Sequence, residues 1–270
     1  MSTLRLALAL ATLLSAIPAA FAQQQTSTLP SWIAGDWSLK LGAATYFAPR
    51  FEGANRLAFN AVPMVSLGRQ GKTEIFSSRN DNISFALFEN ATFRAGVVGK
   101  ILFPRSDDDR DLRGLGSVRW GGEAGAFIDI FPTHWLRVRT EIRQGFRAHS
   151  GLVADLAADA FHDLTPTLRI SAGPRMALAT SPYFKTYYGV DTAQSVASGL
   201  ALYSPGGGIK SVGFGGAVTW KTTDRLTTSL FAEYSRLTGP AAASSLVKQR
   251  GSENQFMIGV SANYRFDFSL

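Results

Sequence analysis

The chain has 270 residues, with 27 lysines and arginines against 20 aspartates and glutamates, and it contains no cysteine. Without cysteine there is no disulfide framework or thiolate metal site, and basic residues spaced along the chain argue against nucleic-acid binding. A mean hydropathy of +0.04 excludes a bundle of apolar helices but not a strand-built membrane protein, which shows lipid a side chain only at every second position.

Residues 1–22 read as a cleavable signal peptide. Arg5 supplies a positive start, Leu6 to Ile17 an apolar run too short to span a bilayer, and Ala20-Phe21-Ala22 the small residues that a signal peptidase reads. Residues 23–35 are then a periplasmic N-terminal segment. Strict period-two alternation begins with Leu39, Leu41, Ala43 and Phe47 on one parity. It predicts strands near 36–48, 56–68, 72–79, 82–88, 91–103, 118–131, 135–147, 151–162, 166–180, 208–221, 225–237 and 255–270. In the last, Val260, Ala262, Tyr264, Phe266, Phe268 and Leu270 alternate with Ser261, Asn263, Arg265, Asp267 and Ser269. Most of these runs are as long as a tilted bilayer crossing needs.

Short connections at Arg69 to Gly71, Glu89-Asn90, Pro132 to His134, Asp163 to Thr165 and Thr222 to Asp224 alternate with the long segments 104–117, 181–207 and 238–254. The predicted fold class is all-β: one transmembrane antiparallel β-barrel over 36–270, of about twelve strands with ten the lower count. Its short turns are periplasmic and its longer loops extracellular, in the outer membrane of a Gram-negative cell. Outer-membrane lipids and lipopolysaccharide are expected to surround it. Tyr264, Phe266, Phe268 and Leu270 form the expected C-terminal signal for the barrel-assembly machinery. Trp120, Trp135 and Trp220 near strand ends suit an interfacial aromatic girdle.

The inward parity carries charge. Strand 135–147 turns Arg137, Arg139, Glu141 and Arg143 inward, flanked by Glu123 and Asp129 on one side and Asp155 and Asp159 on the other. Three-residue connections would set Asp129 opposite Arg137 and Glu123 opposite Arg143, then Arg143 opposite Asp155 and Arg139 opposite Asp159. Directly opposed side chains are close enough for bidentate pairing. A salt-bridged inner wall is the leading reading; the lining of a selective aqueous path and a ligand site are the alternatives. Pro63 predicts a bulge or local opening. Residues 192–203 suggest a short helix spaced around Val196, Leu200 and Tyr203, followed by a turn at Gly206 to Gly208.

Other chemistry is weakly supported. His134, His149 and His162 share no ligand spacing. His149 and Ser150 are adjacent, so strand geometry points them apart and speaks against a lipid hydrolase. Asp107, Asp108, Asp109 and Asp111 lack the spacing of a calcium loop and read as a solvated surface loop. No cofactor, no metal and no enzymatic activity are expected.

Pro49-Arg50-Phe51-Glu52-Gly53-Ala54, followed by Pro63, resembles the early proline–aromatic–Glu-Gly signature of the MipA/OmpV family of outer-membrane proteins. Tyr188-Gly189-Val190, Ser198-Gly199-Leu200, Tyr203 and Gly206 to Gly208 resemble its later segment. Phe51 stands where tyrosine is common, and Leu270 where many barrels end in phenylalanine. The resemblance spans nearly the whole mature chain and implies a non-enzymatic barrel. The name-giving, MltA-interacting member is a scaffold joining a murein-cleaving lytic transglycosylase to a peptidoglycan synthase. Other members are described as adhesins, porin-like proteins or antibiotic-associated surface proteins, so a porin-like channel or surface adhesin is the alternative role.

Overall fold

A computed structural model describes residues 34–69, 76–78 and 81–270; the expected signal peptide and most of the expected N-terminal segment lie outside the described residues. Alternating sequence gives eleven strands: β1 (Asp36–Pro49), β2 (Leu57–Arg69), β3 (Ile83–Glu89), β4 (Phe93–Leu102), β5 (Gly121–Thr133), β6 (Leu136–Phe146), β7 (Leu152–Asp163), β8 (Leu168–Ala179), β9 (Gly208–Lys221), β10 (Leu226–Leu237) and β11 (Asn254–Ser269). They form one curled antiparallel sheet in the order β2-β1-β11-β10-β9-β8-β7-β6-β5-β4-β3. β1 and β11 meet in a continuous register from Asp36↔Ser269 to Phe47↔Ile258, bringing the first and last strands together.

Parity decides what faces what. Phe47, Ile101, Ile142, Leu230 and Val260 each leave about half of their surface exposed (52%, 60%, 54%, 54% and 53%), whereas Asp129, Arg137 and Arg143 are fully buried inside. A band of exposed apolar side chains around a charged interior is the arrangement lipid demands. Slipping one strand by one residue would put arginines into lipid, at ~2–4 kcal/mol each near the midplane. Trp120, Trp135 and Trp220 are all about half exposed near strand ends, and Arg147 lies over the Trp120 ring at 3.8 Å.

Eleven strands lie among the described residues, where about twelve were expected. The segment 72–79 lies largely outside the described residues, and its described part, Phe76 to Ser78, is not strand. Phe76 is buried with Phe131 and Phe161 and stacks on Phe161 with ring centroids 4.5 Å apart. Phe131 and Phe161 share the inward parity of Asp129 and Asp159, so this part of the chain enters the lumen. Asp81 and Asn82 follow it there, bonded to Arg137 and Glu141 respectively. Ten antiparallel ladders separate β2 from β3 around the sheet. Those two edge strands therefore run in the same direction. Trp37 of β1 stacks on Phe85 of β3 at 6.0 Å, bridging the two edges.

Pro63 produces no bulge: β1 and β2 keep one register straight through Ala43↔Pro63. β2 pairs only with β1, and an edge strand tolerates a missing N–H on its unpaired side.

The long loops fold together over one end of the barrel. They carry α1 (Ser181–Tyr188), α2 (Thr192–Ser198), α3 (Gly239–Ala242) and α4 (Ser245–Arg250). Pro182 opens α1 in the first turn, where its missing N–H costs nothing. Asp191 and Gln194 form a capping box on α2, and Gly199 ends it at φ 74°. Thus the expected helix in 192–203 forms, but Val196 is 85% exposed while Leu200 is buried, reversing the expected packing of Val196. α1 was not expected. Its SPYFKTYY sequence buries Tyr183, Phe184 and Tyr188, yet eight residues are too few to display a clear period.

Candidate functional site

The candidate site has two layers, an ionic wall in the lumen and a folded cap above it. In the wall, Arg137 donates to Asp159 at 2.6 Å and to Asp81 at 2.6 and 2.8 Å. Arg139 pairs with Asp129 at 2.9 Å and Glu141 at 2.7 Å. Arg143 pairs with Glu123 at 2.8 Å, Glu141 at 2.5 Å and Asp155 at 2.6 Å. Arg175 of β8 extends the chain of contacts to Asp159.

The eight residues turned inward by parity thus come together, with two pairings exchanged. Asp129 lies opposite Arg139, and Arg137 opposite Asp159. The β5–β6 ladder reaches Thr133↔Leu136 through an irregularity after Ile130, and the β6–β7 ladder starts at Gln144↔Leu152, across a longer connection than the three residues expected; each ladder is displaced by two residues. A two-residue slide preserves parity, so every charge stays inside. The arginines reach diagonally, which is how Arg143 touches Glu123 and Asp155 although neither is its direct partner.

Glu141, turned inward by parity, bridges Arg139 and Arg143. Three members were missed or set aside. Arg175 sits on the inward parity of β8, so it was legible. Asp81 was not, because nothing in its neighbourhood signals that it enters the lumen. His149 at the rim is buried, accepts from Gly151 N at 3.1 Å and meets Glu123 at 3.1 Å. Its neighbour Ser150 is exposed and is not among its hydrogen-bond partners.

The cap joins loops distant in sequence. Gly53 N donates to Gln255 at 3.0 Å. Arg56 bonds Asp111 at 2.8 Å and Asp109 at 3.2 Å, and Arg50 pairs with Asp109 at 3.1 Å. Asp109 and Asp111 are therefore ties between loops, not the solvated surface expected of them, because two arginines close on them from the loop after β1. Asp107 and Asp108 stay local, bonded to Ser117 and Ser106. Arg250 donates to the carbonyls of Asp111, Arg113 and Ser198, and Tyr203 Oη donates to Pro240 O at 2.8 Å. Two buried apolar clusters support these bonds. One centres on Phe184, Tyr188, Leu237 and Val247, the other on Leu112, Leu115, Leu200 and Leu246.

Between wall and cap, Glu52 accepts from Tyr183 Oη at 2.6 Å and pairs with Lys210 at 2.7 Å. Burial pushes the Glu52 carboxyl up; Lys210 and the Tyr183 hydroxyl outweigh it and hold it below the usual carboxylate range. Burial also pushes Tyr187 up to about 12, aided by the Glu123 and Glu52 carboxylates. A depressed carboxyl contributes stability above its unfolded value of about 4.3 and loses it as pH falls through the folded value. The cap should therefore loosen on acidification below about pH 4.3, read as faster hydrogen exchange in 181–188. Glu52→Gln should flatten that dependence.

On β11, Tyr264 and Phe266 pack ring to ring at 4.8 Å on the outward face, with Phe268 on the same parity and Leu270 beyond the strand end.

A curled sheet that is apolar outside and ionic inside, with its first and last strands paired to each other, defines a transmembrane barrel of the bacterial outer membrane. The motifs quoted from its loops lie in the cap, where Glu52, Tyr188, Leu200 and Tyr203 make the contacts just described. The chain belongs to the family described as MltA-interacting protein MipA, whose model matches residues 41–266. Among curated proteins, none matches this chain. Among solved structures, an outer-membrane channel from Pseudomonas putida F1 is similar at TM-score 0.48 and 8% identity, covering 92% of this chain and 100% of that one. A bacterial polysaccharide outer membrane secretin is similar at TM-score 0.43 and 10% identity, covering 85% and 98%. The outer membrane channel DcaP of Acinetobacter baumannii follows at TM-score 0.38 and 6% identity, covering 86% and 97%.

Proposed function

We propose that this chain is a non-enzymatic, capped barrel that acts as an outer-membrane scaffold for peptidoglycan-remodelling enzymes. Its first partner would be the lytic transglycosylase to which the family's name refers, with a peptidoglycan synthase as the second. The observation that carries this reading is the two-layer obstruction of the lumen. Loops from four parts of the chain bond to one another over the mouth, and beneath them nine charged groups from β5 to β8 and Asp81 interlock. A barrel so filled serves poorly as an open pore, and its short periplasmic turns offer a rim for docking. Crosslinking of the intact chain in cells, followed by affinity capture, should recover the transglycosylase. Its clean absence would sink the scaffold reading.

A second reading, a narrow channel, draws on the opposite wall. Gly42, Ala44, Gly215, Ala217 and Ser261 share the inward parity there, so that side of the lumen carries little bulk. It predicts steady conductance in planar bilayers, raised by Arg143→Ala with Asp155→Ala. A silent bilayer would remove it.

A further inference from the structure

The ladder between β3 and β4 stops short of the mouth. Ile83, the first residue of β3, pairs with Gly99. Above that level Lys100, Ile101 and Leu102 pair with β5 alone, while β2 pairs only with β1. The wall is therefore discontinuous between the upper parts of β2 and β4, among the described residues. A cavity of about 630 Å³ is lined by this end of β4, Lys100 to Leu102, unpaired on its β3 side, and by Arg50 to Glu52 in the loop that leads from β1 to β2, and its lining is mixed. Ile101 and Phe103 belong to the lipid-facing parity and are 60% and 68% exposed. Lys100, Arg105, Tyr187 and Lys210 line the same cavity from the lumen and cap. One space thus reaches from the apolar flank to a basic interior.

The cations in it are not equivalent. Lys210 is taken by Glu52, and Arg50 by Asp109. Lys100 makes no hydrogen bond or ion pair among the described residues, and its side chain is exposed inside the cavity; it lies opposite Glu123 in the β4–β5 ladder and is attracted at longer range by the Glu123, Asp155 and Glu52 carboxylates. Glu52, Asp108 and Asp109 also line the cavity, with Glu52 held by Lys210 and Asp109 by Arg50. Arg105 spends Nη1 and Nη2 on the carbonyls of Tyr187 and Thr186, and its buried Nε has no acceptor. A buried donor without an acceptor is costly, and an ammonium in the same cavity with no carboxylate in direct contact can turn to an anion. The apolar residues at the entrance favour a tail.

We infer that this cavity binds an amphipathic anion: one carboxylate or phosphate head on Lys100 and Arg105, and an apolar tail leaving past Ile101 and Phe103. Entry is lateral, from the outer leaflet through the break between β2 and β4, and does not require the cap to open. The head replaces its lost hydration with the Lys100 ammonium and Arg105 Nε–H, while the tail never leaves apolar surroundings. This site is independent of any scaffold role at the periplasmic rim.

The test is calorimetric titration of the purified full chain, in neutral detergent, with octanoate, octyl phosphate and the uncharged octanol. An octyl anion should bind at least about ten-fold more tightly than octanol. Lys100→Gln should remove that advantage and Lys100→Arg restore it. Lys100→Gln is the decisive variant, because it breaks no direct hydrogen bond or ion pair among the described residues and heat-modifiable migration on gels will report an intact barrel. Arg105→Gln should weaken binding as well, with cap integrity checked by proteolysis. Dihexanoyl phosphatidate identifies the source: tighter binding than octyl phosphate marks a membrane lipid, weaker binding a free amphiphile, and either upholds the site. Equal binding of octanol, no binding by either octyl anion, or an unaltered Lys100→Gln overturns it.

Discussion

Replacing Arg137 with alanine should cost the barrel about 3–5 kcal/mol, the loss expected when one member of a buried ion pair is removed and its partners stay behind. Arg137 is fully buried between Asp81 and Asp159, with Asp129 at 3.7 Å. Its guanidinium also lies 4.9 Å from the Phe76 ring centroid, so the change withdraws the group that holds the inserted chain against β6. Urea unfolding of the protein in liposomes, followed by tryptophan fluorescence, should show the midpoint fall. Arg137→Lys should recover part of the loss, since one ammonium restores the charge but not the fork that reaches two carboxylates at once. A loss under about 1 kcal/mol for the alanine variant would mean that water replaces the guanidinium, and the wall would then be far wetter than its burial implies.

Phe184→Ala should act on the cap with similar size but a different reach. Phe184 is fully buried in the cluster that joins α1 to Leu237 and Val247, and removing a buried phenylalanine costs about 3–5 kcal/mol. The strands should hold, because their ladders and ionic wall do not pass through this ring. Hydrogen exchange and proteolysis should therefore rise in 103–120 and 180–207 while β5 to β8 stay protected. Simultaneous loss of protection in the strands would show cap and wall to be one cooperative unit. If the cap also seals a conducting path, this variant is the one that should begin to pass current.

All eleven strand spans, and the inward set of charges, follow from a two-residue period. Lipid on one side and ionic groups on the other leave alternation no freedom, so Leu39 or Arg143 can be assigned a face without knowing any neighbour. Pairing is less legible. Asp129 meets Arg139 because of an irregularity after Ile130, and irregularities at a Phe-Pro step leave no periodic trace. β3 was expected in nearly its observed place, but the chain before it was read as another wall strand. Phe76 is apolar in either setting, and only its packing on Phe161 separates a lumen residue from a lipid-facing one. The cap was the least legible part. Its motifs were visible as a family resemblance, yet what Glu52 and Tyr188 do depends on contacts across more than a hundred residues of chain. The basic cavity suffers likewise, since Lys100 looks like any inward-facing lysine until the absence of a direct partner among the described residues is seen.

The continuous register from Asp36↔Ser269 to Phe47↔Ile258 has a topological consequence. In many closed sheets the junction of chain ends is the natural weak line; here that junction is fully zipped, and the discontinuity lies between β2 and β3, bridged by the Trp37–Phe85 stack on the outward parity. The molecule is thus organised as a strip whose true margins are in the interior of the gene product. A circular permutant that links Ser269 to Asp36 and starts the chain at Ile83 would place its ends where the sheet itself ends.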